Sequence, residues 1–134
     1  MLPVTHLAID RRLVGGPVEL GPGTASVALV TVPEMAADER GLVHGGFVFG
    51  LADYAAMLAV NHPNVVLGSA ETRFLKPVTV GETLLARASV LETSGRKSKV
   101  KVEVLRGEEA VMTGELACFT RDQHLRDPVP SVHH

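Results

Sequence analysis

From Gly45 to Val60 the chain is apolar at almost every position, GGFVFGLADYAAMLAV, without period-2 alternation. Leu, Ala and Met favour a helix there, and a helix apolar all round is one buried on all sides. At 1.5 Å per residue it is about 24 Å long, short for a bilayer crossing, so it requires a sheet wrapped around it. His62-Pro63-Asn64 ends it. The other segments read as strands. Thr24–Val32 is β-branched, partly alternating, and follows the turn signal Gly21-Pro22-Gly23. A polar connection, Pro33–Arg40, leads on towards the helix. Beyond the helix, Val65–Lys76 runs to Pro77 and a turn at Gly81. Lys99–Leu105 alternates cleanly, with Val100, Val102 and Val104 on one face. It joins Thr83–Glu92 through the hairpin signal Ser94-Gly95. Thr83–Glu92 has helical propensity as well, but its partner makes it a strand. Arg106-Gly107-Glu108 turns the chain into a last strand, Ala110–Thr120. The expected order is strand, buried helix, then four strands in meander. This is an α+β fold with an antiparallel sheet of five to six strands around one helix.

Composition agrees with a globular chain. The 134 residues allow one domain with a real core, about 24–120. Hydrophobic residues make up 46% and charged residues 21%, the balance of a folded chain rather than a disordered one. A net charge of −2 argues against nucleic acid as the main partner. The single cysteine, Cys118, excludes an internal disulfide framework and fits a reducing compartment. No stretch reaches the roughly 18 apolar residues of a membrane span, and the N-terminal charges follow the apolar residues, the wrong order for a secretory signal. A cytoplasmic location is expected. The polar stretch from Arg121, with two prolines, is expected to be a mobile tail, and His133-His134 is set aside from fold reasoning.

Asp53 is the chemical oddity, a carboxylate mid-helix among Phe49, Leu51, Ala52, Ala56 and Met57. Burying it is costly unless it is paired, neutralised or part of a site. A structural Asp paired with an Arg or capping a loop is the competing reading. His44-Gly45-Gly46 opens the helix, where free N–H groups and the positive dipole end can polarise a carbonyl. An ordinary helix start with His44 near the cap explains the same residues. Gly45 and Asp53 are eight residues apart, about 12 Å along the axis. Reacting groups must lie about 3–3.5 Å from the reacting atoms. One chain cannot bring both to one carbonyl, whereas two antiparallel helices from two subunits can. If both serve one reaction, the protein is a homodimer, with a homotetramer as a further option.

The run Val43-His44-Gly45-Gly46, Leu51-Ala52-Asp53, Arg73-Phe74-Leu75-Lys76-Pro77 and Gly81-Glu82 resembles the hotdog acyl-CoA thioesterases of the phenylacetate-degradation branch. The likeness covers about residues 24–120. It implies that Asp53 is the nucleophile or general base. It also implies that the Gly45 N–H, from the other subunit, binds the thioester carbonyl, with His44 and Gly46 beside it. The family often carries Asn six residues before the His, where this chain has Asp38. A Ser or Thr near the start of the second strand in some relatives has Ser69 as its nearest counterpart. Coenzyme A enters as part of the substrate, not as a cofactor. Its phosphates call for cations, and Ser94-Gly95-Arg96-Lys97-Ser98-Lys99 forms the one dense basic cluster, with Arg96, Lys97 and Ser98 as candidate phosphate ligands at a hairpin tip that solvent alone would also explain. Arg73 and Lys76 are further candidates.

No metal is expected, since the histidines lack ligand spacing, and no phosphate loop or dinucleotide fingerprint is present. Cys118 reads as a core residue. Phe47, Phe49, Tyr54 and Met57 line either an acyl pocket or the core. Hydrolysis of an acyl-CoA with an arylacetyl or short- to medium-chain acyl group is the leading function. A non-catalytic acyl-CoA-binding module and a hydratase or dehydratase on the same fold are the alternatives. The first alternative has no use for a buried carboxylate. The second uses motifs absent from this chain.

Overall fold

A computed structural model of the chain describes residues 1–123. The expected tail therefore lies outside them from residue 124 on, His133 and His134 included. Its first residues are held in place: the Arg121 N–H donates to the Asn64 carbonyl at 3.2 Å.

The buried helix, α2, spans Gly45–Val60 as the apolar run predicts. His44 caps its start and Asn61, in the left-handed region at φ 49°, closes its end by donating its N–H to Met57 O at 2.8 Å. Before it come a short helix α1, Arg11–Val14, then β1, Gly16–Gly21, and β2, Thr24–Val30. After it come β3, Val65–Phe74, β4, Thr83–Ser94, β5, Lys97–Arg106, and β6, Glu109–Thr120. The six strands form one antiparallel sheet in the order β1-β2-β4-β5-β6-β3.

Two expectations are corrected. The turn at Gly21-Pro22-Gly23 is the tip of a hairpin, with β1 paired to β2. β1 escapes a reading by alternation because it is short, holds Pro17 and is bulged between Pro17 and Glu19. The four strands after the helix are not a simple meander either. β4, β5 and β6 are, but β3 lies at the far edge, beside β6. Residues 75–82 carry the chain back to β4 and are laced to the loop before α2. Val43 N–H donates to Val78 O at 2.8 Å, Val80 N–H to Gly41 O at 2.8 Å and Gly81 N–H to Thr31 O at 3.0 Å. Glu82 locks the same connection, accepting from Thr79 N–H at 2.6 Å and Arg106 Nη1 at 3.0 Å.

The core is the contact of α2 with the inner rows of the sheet: Val27 and Leu29, Leu84 and Ala86, Val100, Val102 and Val104, Met112 and Leu116. Each fully buried side chain of this size contributes about 1.5–3 kcal/mol. Small residues on β4, Ala86 and Ala88, sit in the row that faces the helix. α2 lies chiefly over β2, β4 and β5. Beyond a buried Val65, the inner row of β3, Leu67, Ala70, Thr72 and Phe74, is consequently left uncovered apart from a half-buried Thr72. Tyr54 and Met57 are wholly buried core residues; Phe47 and Phe49 are half-buried.

Candidate active site

Asp53 stands at the middle of α2, on its less covered side. Among the described residues its Oδ1 is the one buried side-chain oxygen or nitrogen that lacks a hydrogen-bond partner. None of the described cations pairs with it. An Asp held as half of an ion pair, or as a loop cap, would be satisfied; this one is not. Burial raises its pKa from 3.8 to about 6. The native protein thus holds a carboxylate that desolvation has made more basic, the property wanted of a general base or an oxygen nucleophile. Cys118 lies close enough to register its charge: the thiol is pushed up to about 12, first by burial and then by Asp53. Such a thiol stays protonated, consistent with a core residue.

At the helix start the two glycines divide their roles. The Gly46 N–H donates to His44 Nδ1 at 2.8 Å, and a Cβ on Gly46 would meet that nitrogen at 2.8 Å. Gly46 is therefore explained by the cap. The Gly45 N–H has no acceptor among the described residues. A Cβ on Gly45 would make only ordinary contact, with Phe74 Cε1 at 3.7 Å. Packing within the chain does not account for a glycine at 45, whereas close approach of an outside carbonyl would. A pocket of about 240 Å³ opens beside it, walled by Val43, Val48, Phe74, Leu75 and Pro77 with Lys76 at the edge.

The other candidates are scattered. Asp38 is an exposed loop residue whose Oδ1 accepts from the N–H groups of Arg40 and Leu42, both at 3.0 Å. It is occupied in shaping the turn before α2. Ser69 pairs with Ala117 on the outer face of the sheet, away from the helix, because an extra residue at Gly68 shifts the β3 register. Thr72 occupies the inner face instead. Arg96 is bound by Asp122 through two hydrogen bonds, 2.9 and 2.6 Å. Ser98 is buried, at 3.1 Å from Thr93 Oγ1, on the inner row opposite Cys118. Lys97 is exposed, and Arg73 projects from the outer row of β3. Sequence reasoning gave the N-terminal segment no part. The structure lays His6 beside Tyr54, ring centroids 6.3 Å apart, next to Asp53 on the helix. No three His, Cys, Asp or Glu side chains gather as a metal site among the described residues. No described helix is long and apolar enough to cross a membrane.

A six-stranded antiparallel sheet wrapped on one central helix is the hotdog fold. The sequence model of the thioesterase superfamily matches residues 40–113, and the chain belongs to that superfamily. That stretch holds α2 with both Gly45 and Asp53. An uncharacterized protein of Pyrococcus horikoshii is 53% identical, with a TM-score of 0.91 over 95% of this chain and 100% of that one. A variant of the phenylacetic acid degradation protein PaaI of Thermus thermophilus is 31% identical, with a TM-score of 0.75 over 81% of this chain and 95% of that one. Among curated proteins, the methylthioribose-1-phosphate isomerase of Aquifex aeolicus is 55% identical over 111 residues, 83% of this chain and 24% of that protein. The transcription factor FapR of Shouchella clausii is 29% identical over 68% of this chain and 48% of its own length. The chain thus spans about a quarter of the first of these curated relatives and about half of the second.

Proposed function

We propose that the chain is an acyl-CoA thioesterase acting as a homodimer or a pair of dimers, with Asp53 from one subunit and the Gly45 N–H from the other at each site. The observation that carries this reading is the lone unsatisfied carboxylate oxygen of Asp53, together with an unused Gly45 N–H about 12 Å away along the same helix. In hydrolysis, Asp53 takes a proton from water as its oxygen attacks the thioester carbon. The Gly45 N–H of the second subunit holds the developing oxyanion, the C–S bond breaks, and the proton passes to the departing thiolate. Attack by the carboxylate itself, with water opening the resulting anhydride, uses the same two groups.

The open side of the fold supports the pairing. β3 is an edge strand of ten residues without proline, exposed on both faces over most of its length. An edge like this templates a second strand. Gly45 lies beside Phe74, and Asp53 lies within charge range of Cys118, which pairs with Leu67 towards the other end of β3. α2 therefore runs antiparallel to β3. The helical 12 Å equals between three and four strand residues, which sets Asp53 about level with Ala70. A twofold axis at Thr72 exchanges the levels of Phe74 and Ala70, and so brings Gly45 of one copy to Asp53 of the other. That same register sets Glu71 opposite Arg73, a favourable cross-strand pair. Replacing Asp53 by Asn and following thiol release from a panel of arylacetyl and fatty acyl-CoAs tests the reading. Activity near that of wild type would overturn it.

The likeness to FapR transcription factors favours a second reading, a non-catalytic module that binds acyl-CoA. It predicts ligand binding without thiol release, and the same assay separates the two.

A further inference from the structure

The pocket beside Gly45 has two walls of different make. One is the start of α2, with Val43 and Val48. The other is the connection from Leu75 to Val78, which lies in no helix and no strand. Its near end is held by β6, through the Leu75 N–H donating to Val111 O at 2.8 Å. Pro77 has no N–H to donate, so the far end is fastened by two neighbouring carbonyls. The Val43 N–H donates to Val78 O at 2.8 Å. Arg106 Nη1, from the last residue of β5, donates to Pro77 O at 2.9 Å. The wall is thus tied on one side to the chain two residues before Gly45, and on the other to the end of a central strand.

Arg106 is itself fixed. Its Nη1 also donates to Glu82 Oε1 at 3.0 Å, and its Nη2 donates to Glu109. The same Glu82 oxygen accepts from Thr79 N–H at 2.6 Å and Thr79 Oγ1 at 2.9 Å. These bonds, the Thr79 N–H foremost, hold the Glu82 carboxyl below its ordinary pKa, so it is charged at neutral pH. The hydroxyl of the buried Thr31 points at the carbonyls of Glu82 and Thr79, at 2.8 and 3.1 Å. A guanidinium carries its donors in a rigid fork, which lets one side chain fix a carboxylate and a carbonyl in set directions. The Arg106 and Glu82 side chains are 27% and 28% exposed, and ion pairs this open to solvent add little to global stability. What the pair does fix is the place of Pro77 and Val78 beside Gly45.

Resting on the thioesterase reading above, we propose that Arg106, oriented by Glu82, is a positioning residue for the reaction: through Pro77 and Val78 it holds the wall beside Gly45, and so sets where a substrate carbonyl meets the Gly45 N–H. The test is a double-mutant cycle on kcat between Arg106 and Gly45, with amide hydrogen exchange as a readout that needs no substrate. Arg106→Met keeps an aliphatic stem and removes the donors. It should lower kcat about tenfold to a hundredfold, the scale of a reacting group displaced by up to an ångström. KM should stay within about twofold, because a bond that strengthens only at the developing oxyanion appears in kcat. Arg106→Lys, which keeps the charge and donors, should recover most of the loss. In a Gly45→Pro protein, where the N–H is already gone, Arg106→Met should cost less than about twofold more. The Val43 amide should exchange about tenfold faster in Arg106→Met, while the amides of β5 keep their protection, which certifies the fold. A kcat near wild type in Arg106→Met, or a loss of the same factor with and without the Gly45 N–H, would overturn the positioning role and leave the thioesterase reading intact. Wild-type protein that releases no thiol would overturn both, and exchange at Val43 unchanged by Arg106→Met would overturn the latch by itself.

Discussion

The two edges of the sheet are built differently. β1 has six residues, carries Pro17, which has no N–H to offer, and is bulged at once after it. The helix covers the apolar inner rows of β2, β4 and β5. β3 has ten residues, no proline and, beyond Val65, an inner row open to solvent. The unsatisfied groups, Asp53 Oδ1 and the Gly45 N–H, lie towards β6 and β3. One edge is finished and the other is not. On the proposed function, the closed half supplies stability and the open half takes the partner and the ligand.

Substitutions should divide along that line. The largest effect belongs to the open half. Asp53→Ala should lower kcat by about 10²–10⁴-fold in a protein that remains folded, since that is the scale of a positioned acid or base; thiol release under saturating substrate reads it. The wild-type rate should itself climb as pH rises through about 6, where the carboxyl ionises, and level off above.

Asp53→Asn should also be more stable than wild type at neutral pH. Well below pH 3.8 the carboxyl is protonated in the folded and the unfolded chain, and its burial carries no electrostatic penalty. Between 3.8 and about 6 the unfolded chain ionises first, so wild type loses stability with rising pH until the folded form ionises too. The loss amounts to at most about 3 kcal/mol, at 1.36 kcal/mol per pKa unit. Denaturant midpoints of the two proteins should approach one another below about pH 3 and separate by pH 7. A destabilised Asn variant at pH 7 would restore the structural reading of Asp53.

In the closed half, Val102→Ala should cost about 2 kcal/mol by leaving a cavity under α2, with kcat per folded molecule retained. Ser69→Ala, on the outer face, should change neither stability beyond about 0.5 kcal/mol nor rate.

The smallest effect concerns the open edge itself. Arg73→Glu sets like charges opposite one another in the proposed register and should loosen the dimer. Each such pair is worth about 0.2–1 kcal/mol, so the dissociation constant from sedimentation should shift by no more than about thirtyfold. The double exchange Glu71→Arg with Arg73→Glu should restore it. A dimer indifferent to both would move the pairing elsewhere.

What could be read ahead of the structure follows the same division. α2 was legible to the residue because Gly45–Val60 is apolar on every side and bounded by clear signals. β5 was legible because one of its faces is buried and the other is not, so Val100, Val102 and Val104 alternate with lysines and glutamate. Beyond Val65, β3 has no buried face in a single chain, and nothing in its pattern says which strand it joins. Counting by twos from Leu67 puts Ser69 on the inner face; the extra residue at Gly68, over which the Phe119 ring lies, reverses that. Asp38 drew notice as a carboxylate near the family motif, but its side chain serves the local backbone, as Asp does in turns. Arg121 was taken for the start of a tail, because its place depends on a contact with Asn64 that no local pattern announces.

The central claim is that each site draws its carboxylate and its carbonyl donor from different chains, and subunit mixing tests it most directly. Gly45→Pro removes the N–H at the first position of α2, where proline is well accommodated. His44 before it is already extended, at φ −61° and ψ 131°, the conformation a following proline favours. Asp53→Ala and Gly45→Pro homodimers should each be nearly inactive. In the mixed dimer one site receives both defects and the other receives an intact Asp53 and an intact Gly45 N–H. About half of the wild-type activity per dimer should therefore return once mixed dimers, identified by two different tags, have formed. Mixed dimers that form and stay inactive would contradict the shared site.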